Sequence, residues 1–327
     1  MIRLGTVGSS AICQHFLDGV ALTGKYLLSA VYSRDSLRGK QFGQKNGCDK
    51  IFCNLEEMAK SGLIDAVYIA SPNSCHYAQS KLFLENGINV LCEKPIVTTL
   101  SEYSELKALA DSKNLIYMEA IIPRYTEQYK AVKGAVDEIG EIKAARFDFC
   151  QRSSRLDSFL KGEHVNIFDM SLKAGCLMDI GVYCVYASLD LLGMPRNVKS
   201  DVTYLPNGAD GSGCAVLNYG DFLAALTYSK TCDGSLGSEI IGSNGTVKIE
   251  RISQYAGVTL LKDGNEYVIA DYPTKAQLMS GEANRFADYI SDFDKNGDDY
   301  KNSSDLALCV HKVMDLIKSD SGIRYPE

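Results

Sequence analysis

Up to about residue 120, short apolar runs alternate with longer segments whose apolar side chains recur at helical spacing. Leu4–Val7, Tyr26–Tyr32, Ile51–Phe52, Asp65–Ala70, Ile88–Cys92 and Leu115–Met118 have the length and the β-branched or aromatic content of buried strands. Between them lie the helix-compatible segments Ala11–Val20, Ser36–Lys45, Leu55–Ser61, Tyr77–Glu85 and Glu102–Asp111. Strands separated by helices of this length predict parallel βαβ units with right-handed crossovers.

The pattern then changes. A helix near Glu127–Ala135 precedes an alternating strand, Lys143–Phe149, with Phe147 and Phe149 on one face, and a further helix runs from about Ile180 to Leu192. Closely spaced strands follow, joined by Gly220-Asp221, Asn244-Gly245 and Asp263-Gly264. Asn-Gly and Asp-Gly favour the type I′ geometry that matches strand twist, so these joints predict antiparallel hairpins. Amphipathic helices near Lys275–Phe293 and Ser304–Ser319 close the chain. The expected fold class is α/β: an N-terminal Rossmann-like, doubly wound parallel sheet over residues 1–122, then a C-terminal α+β domain over residues 123–327 built on a large, mostly antiparallel sheet.

Composition narrows the partners. The length of 327 residues suits two domains, and 46% apolar with 23% charged residues is the balance of an ordinary globular protein. A net charge of −7 argues against a nucleic-acid or anionic-membrane partner, since either needs a basic surface. No apolar stretch reads as a membrane span, and Met1-Ile2-Arg3-Leu4 runs straight into a strand with no signal peptide, so a cytoplasmic location is expected. The eleven cysteines are an odd number, and Cys92, Cys176, Cys184 and Cys214 lie in apolar runs, so reduced core thiols are expected rather than disulfides. With no Cys-x-x-Cys pair and four scattered histidines, no metal site is expected. Asp292-x-Asp294-x-Asn296-Gly297 imitates the start of a calcium loop but has Ser303 where a bidentate Glu is needed. It reads instead as the polar end of a helix followed by a Gly turn.

The first strand ends in Gly5-Thr6-Val7-Gly8-Ser9-Ser10-Ala11-Ile12-Cys13. In the dinucleotide fingerprint G-x-G-x-x-G, the first glycine makes the turn, the second admits the pyrophosphate and the third packs helix on strand. Read from Gly8, the second and third positions hold Ser10 and Cys13, both small. Gly8, Ser9, Ser10, Ala11 and Ile12 are thus the expected cofactor cradle, although an ordinary βα turn fits the lone motif equally well. The tip of the second strand discriminates between nucleotides, because NAD sites carry an acid there and NADP sites a basic group. Here the chain reads Tyr32-Ser33-Arg34, with Arg38 a turn further on, while Asp35 suits the cap of the next helix. Ser33, Arg34 and Arg38 favour NADP over NAD. Ser71, Pro72 and Asn73, followed by His76, end the fourth strand, where they either line a cofactor ribose or form a simple turn.

Glu93-Lys94-Pro95 directly follows the run Ile88–Cys92. A lysine at the carboxyl end of a buried strand points into the crevice where doubly wound sheets bind ligands. Alone, it reads as a surface lysine before a turn proline. Further on, the stretch from Gly175 to Cys184 opens a helix, with Asp179 and Tyr183 four residues apart on one face. A carboxylate, a phenol and Lys94 near a nicotinamide make an acid–base set for hydride transfer. Tyr183 exchanges the proton of the substrate oxygen, Lys94 eases ionisation of the phenol, and Asp179 orients substrate or lysine. Without the other signals, Asp179 is a helix-capping acid and Tyr183 a core aromatic.

Gly5-x-x-Gly8, Tyr32-Ser33-Arg34, Ser71-Pro72-Asn73-x-x-His76, Glu93-Lys94-Pro95 and Gly175-x-x-x-Asp179-x-Gly181-x-Tyr183 occur in that order. With them the chain resembles, over essentially its whole length, the glucose–fructose oxidoreductase / inositol dehydrogenase / MocA (Gfo/Idh/MocA) family. The resemblance implies a Rossmann domain, then an open sheet whose exposed face pairs subunits into a homodimer or homotetramer. It also implies NAD(P)-dependent oxidation or reduction of sugar-like, polyol or diol substrates. By position, Lys94 is the catalytic lysine, Asp179 its acidic partner and Tyr183 the acid/base, with Glu93 and Lys94 also in the cofactor-binding set. Many relatives have His where this chain has Tyr183; tyrosine there is similar to glucose–fructose oxidoreductase and to the dimeric dihydrodiol and NADP-dependent xylose dehydrogenases. Arg124 falls at a family position near cofactor or substrate, and the Lys94–Pro95 bond is expected to be cis. Lys173-Ala174-Gly175 stands where many relatives have a run of glycines. Arg152, Arg155, His164 and Asn166 are candidates for lining the substrate pocket. Some members of the family are non-catalytic dinucleotide-binding regulators, and the joint presence of Lys94, Asp179 and Tyr183 argues for an enzyme instead.

Overall fold

Six strands, β1 (Ile2–Val7), β2 (Tyr26–Tyr32), β3 (Ile51–Phe52), β4 (Ala66–Ile69), β5 (Asn89–Glu93) and β6 (Tyr117–Ala120), form a parallel sheet in the order β3-β2-β1-β4-β5-β6. The connecting helices are α1 (Ala11–Thr23), α2 (Ser36–Lys45), α3 (Leu55–Lys60), α4 (Asn73–Glu85) and α5 (Leu100–Ser112). The order reverses between β1 and β4, which opens a crevice beyond the carboxyl ends of the strands. The description rests on a computed structural model and covers residues 1–326. All of β4 and the centre of β5 are buried, which is why both read as continuous apolar runs rather than alternating ones. The last strand lies two residues later than the pattern predicts. The cause is Glu119, a charged residue carried inside the strand, buried because its carboxylate accepts from the Ile96 N–H at 2.9 Å.

The second sheet has eight strands: β7 (Ile142–Cys150), β8 (Asn197–Tyr204), β9 (Asp210–Asn218), β10 (Leu223–Ser229), β11 (Ser238–Gly242), β12 (Thr246–Arg251), β13 (Ala256–Lys262) and β14 (Asn265–Ala270). Their order is β14-β13-β12-β11-β7-β10-β9-β8, and every pairing is antiparallel except β7 with β10. The three turn dipeptides do join hairpins, but only Asp263 and Gly264, at φ 53° and 75°, both have the positive φ that a type I′ turn requires. Gly220 alone is positive in the β9–β10 turn, and neither residue is in the Asn244-Gly245 turn.

One face of this sheet buries Phe147, Leu217, Leu226, Ile240, Val247 and Val258, while Val216 and Leu223 are exposed. Against the sheet lie α6 (Glu127–Glu138), packed on β12–β14, and α8 (Val182–Leu192), packed on β7 and β10. A short helix, α7 (Leu156–Leu160), sits in the connection between β7 and α8. The segment Met170–Leu192, which contains α8, is long and apolar enough to cross a membrane by length and composition, contrary to the sequence reading. Its apolar window is 78% buried, which makes it a core segment of this unit.

A single cut after residue 122 does not describe the first compact unit, which joins Met1–Ile122 with Thr274–Asp305; the second is Pro123–Pro273 with the residues from Leu306 onward. Helix α9 (Lys275–Ser291) lies along α1, and Gly19 permits the approach. A Cβ at Gly19 would stand 2.5 Å from the Met279 Cβ and 2.7 Å from the Ser280 nitrogen. The Tyr26 hydroxyl donates to the Ala283 carbonyl at 2.6 Å, and Lys25 pairs with Asp288 at 2.6 Å. The last helix, α10 (Phe293–Ser321), is far longer than the pattern predicts, and Gly297 lies inside it rather than in a turn.

Candidate active site

The turn after β1 is built for close approach to its backbone. Gly8 has φ +115°, its N–H donates to the Tyr32 carbonyl at 3.1 Å, and a Cβ there would stand 3.1 Å from the Ala70 carbonyl oxygen. Cys13, fully buried at the third fingerprint position, has its Sγ against the same spot. Ser10 is the N-cap of α1, yet its side chain makes no capping hydrogen bond. Among the described residues, the Ser10 side chain thus leaves the first N–H groups of α1 uncapped, and a helix end of this kind attracts an anion. A glycine-requiring turn beside an uncapped helix fits the pyrophosphate of a dinucleotide, with Ser9, Ala11 and Ile12 alongside.

At the tip of β2, Ser33 is buried and donates its N–H to the Phe52 carbonyl at 3.0 Å. Asp35 caps α2, its carboxylate accepting from the N–H groups of Leu37 and Arg38 at 2.9 and 3.1 Å. That acid is committed to the helix, while the side chains of Arg34 and Arg38 are exposed.

Three side chains fix the backbone around Lys94. The Tyr68 hydroxyl donates to the Glu93 carboxylate, His76 stands beside the Pro95 carbonyl at 2.8 Å, and Glu119 holds the Ile96 N–H. The Lys94–Pro95 bond is cis, and Lys94 itself is half-buried. His76 is only 1% exposed and its second ring nitrogen is 2.8 Å from the Ser71 carbonyl, so it meets backbone on both sides. Ser71 donates its hydroxyl to Gln79, Pro72 is the N-cap of α4 and Asn73 its first residue. Loss of water contact pushes the Glu93 carboxyl up, against the opposing effects of the Tyr68 hydroxyl and the Lys94 charge. Glu282 of α9 is fully buried and held well above the usual carboxylate range, by burial first and then by the charge of Glu93.

In the second unit, Asp179 and Tyr183 lie on one continuous segment. A π-helical turn, Leu177–Gly181, carries Asp179 and leads into α8, whose first turn carries Tyr183. Such turns are frequent at functional sites. The buried ammonium of Lys230 donates to Asp179. Asp210, fully buried, accepts from the Leu177 N–H at 2.6 Å, and burial pushes its carboxyl up to about 6. Gly175, at φ +148°, leaves room for that carboxylate, since a Cβ there would overlap it. The Tyr183 ring stands edge-on to Phe149, with centroids 5.7 Å apart.

Arg124 belongs to a network inside this unit: it pairs with Asp190, and the Tyr129 hydroxyl donates to the same carboxylate at 2.9 Å. Arg152 pairs with Asp157 and His164 with Asp169, each at 2.7 Å, while Arg155 and Asn166 are exposed. Lys230 and Asp210 escaped the sequence reading. Each belongs to no motif, and only the β7-β10-β9 strand order brings them beside Asp179.

Residues 2–121 match the family model described as oxidoreductase family, NAD-binding Rossmann fold, and residues 129–248 match the GFO/IDH/MocA C-terminal domain. The chain is 36% identical over 327 residues to scyllo-inositol 2-dehydrogenase (NADP(+)) IolU of Bacillus subtilis, covering 100% of this chain and 99% of that protein. It is 30% identical over 225 residues to human trans-1,2-dihydrobenzene-1,2-diol dehydrogenase, covering 67% and 65% of the two chains. KijD10, a 3-ketoreductase from Actinomadura kijaniata solved with NADP and TDP-benzene, shares the fold at a TM-score of 0.84 over 98% of each chain, with 22% identity. With both of its halves matched and a relative similar from end to end, the chain belongs to the Gfo/Idh/MocA family of NAD(P)-dependent oxidoreductases.

Proposed function

We propose that the protein is an NADP-dependent dehydrogenase or reductase for a ring-borne diol or polyol, interconverting a secondary alcohol and its ketone. The observation that carries this reading is the joint presence of Lys94, Asp179 and Tyr183, each on a backbone segment held by buried polar partners. A bound nicotinamide would supply the hydride acceptor or donor. In the oxidative direction the Tyr183 phenolate would take the substrate's hydroxyl proton. The Lys94 cation makes the phenolate less costly, and Asp179 orients the substrate hydroxyl. IolU and the human dehydrogenase are both named for substrates with neighbouring hydroxyls on a six-membered ring, which supports that substrate class here.

Two further expectations stand as proposals. The outer face of the eight-stranded sheet, with Val216 and Leu223 exposed, pairs subunits into a homodimer or homotetramer, to be read by analytical ultracentrifugation. The free cysteines suit a reducing, cytoplasmic setting, to be read by cell fractionation.

The function is tested by titrating the purified protein with NADPH and NADH, then assaying inositols and cyclic trans-diols with NADP⁺ beside a Lys94→Ala control. Tight NADPH binding with turnover abolished by Lys94→Ala is the expected result. Binding without turnover of any such substrate would favour a non-catalytic regulator, and no binding of either nucleotide would remove the oxidoreductase reading.

A further inference from the structure

Lys230 follows β10 directly and is only 7% exposed. Its backbone is fixed on both sides: its N–H donates to the Gly211 carbonyl, and its carbonyl accepts from the Ser153 N–H, each at 2.9 Å. Its ammonium donates to Asp179 of the π-helical turn, and its charge also acts on Asp210 of β9 and on the Cys176 thiol at the start of that turn. Asp210 in turn holds the Leu177 N–H, the first residue of the same turn. Asp210 and Lys230 therefore both bear on one five-residue segment, Asp210 through the Leu177 N–H and Lys230 through the Asp179 carboxylate.

A buried ammonium is costly, and an apolar side chain of the same volume commonly serves stability as well or better. The charge of Lys230 thus needs another use, and its contact supplies one. Asp179 is one helical turn before Tyr183 and its side chain keeps 32% of its exposure, so one part of the carboxylate faces Lys230 while the remainder reaches solvent. We propose that Lys230 is a positioning residue for the reaction, holding Asp179 ionised and oriented through a buried Asp179–Lys230–Asp210 brace. The inference rests on the proposed place of Asp179 in the active site.

The test is a double-mutant cycle on K230M and D179N, with kcat, KM, pH profile, NADPH affinity and Tm measured for each. K230M is expected to lower kcat about 10- to 100-fold, the scale of a mispositioned catalytic group. It should leave NADPH affinity unchanged and move the acid limb of the kcat/KM profile to higher pH. The double variant should be no slower than D179N alone, because the two act as a unit. K230R should recover part of the loss. Multiplicative losses, or a slower enzyme with an unmoved pH profile, would overturn the brace. If K230M does not fold, K230Q combined with D210N removes one charge of each sign and takes its place in the cycle. Infrared difference spectra of wild type minus D179N follow the Asp179 carboxylate without turnover. A band that protonates at higher pH in K230M supports the brace, and an unmoved band overturns it. Failure of the wild type to turn over any substrate would count only against the enzyme reading.

Discussion

The Nδ1 atom of His76 lies 2.8 Å from the carbonyl oxygen of Pro95, the residue after Lys94, and Nε2 lies 2.8 Å from the carbonyl oxygen of Ser71. One ring thereby ties the segment after β4 to the segment after β5, the two chain ends that border the crevice beside the cofactor turn. Burial lowers the His76 pKa, so the ring is neutral and has a single N–H to donate. The other nitrogen meets a carbonyl without a proton between them.

Replacing His76 by Ala removes the ring from both carbonyls. The expected cost is about 2–4 kcal/mol of stability, from the one carbonyl left without its N–H donor and the cavity left behind. Because the folded value lies below the ordinary 6.5, this contribution is full above that pH and is lost as the pH falls. Urea melts at pH 7.5 and pH 5.5 should therefore show a larger gap between wild type and His76→Ala at the higher pH. Equal midpoints at pH 7.5 would show that the ring braces nothing.

The proposed preference for NADP rests on Arg34 and Arg38. Asp35 is spent on capping α2, which leaves the two exposed guanidinium groups as the charged partners at the tip of β2. Arg34→Ala with Arg38→Ala should weaken NADPH binding about 10- to 100-fold, the scale of losing one or two charge-assisted phosphate contacts. NADH binding should hardly change. Parallel fluorescence titrations decide it, and an equal loss for both nucleotides would place the 2′-phosphate elsewhere.

Periodicity and turn chemistry sufficed for most of the chain because each of those signals is local. β4 and β5 announce themselves as apolar runs, Asp35 as a cap, and Asp263-Gly264 as a hairpin turn. The misses share a different cause. Nothing near Gly19 in sequence reports that α9 packs on it, so Thr274–Asp305 was assigned to the wrong unit. Glu119 looked like the end of a strand because its partner, the Ile96 N–H, is distant in sequence. Lys94, Asp179 and Tyr183 stand out in the sequence through short motifs, whereas Lys230 and Asp210 meet the Asp179 turn only through the fold and carry no motif at all.

Arg124, expected near cofactor or substrate, sits in a buried ion-pair network. Its guanidinium and the carboxylate of Asp190 keep only 12% and 10% of their exposure, and Tyr129 closes the network. Truncating one member of a buried pair leaves the other uncompensated, at a cost of about 3–5 kcal/mol. Arg124→Ala should therefore lower the denaturation midpoint sharply while NADPH affinity of the folded fraction stays at the wild-type level. A stable variant with weakened NADPH binding would instead make Arg124 a cofactor ligand.

Asp210 gives a pH dependence of opposite sign to that of His76. Burial raises its carboxyl from the ordinary 3.8 to about 6, so the folded state holds this proton more tightly than the unfolded chain does. The stabilisation from that proton is complete below pH 3.8 and is lost as the pH rises through about 6. Above that range the buried charge costs about 3 kcal/mol relative to the neutral acid, before any relaxation of the site. Asp210→Asn keeps an oxygen for the Leu177 N–H and cannot ionise. The Tm of Asp210→Asn minus that of wild type should accordingly climb between pH 4 and pH 7 and then level off. A difference that stays flat across that range would mean Asp210 is ionised throughout, with the Lys230 charge outweighing burial. In K230M that opposing charge is gone, so the same climb should continue to higher pH before it levels off.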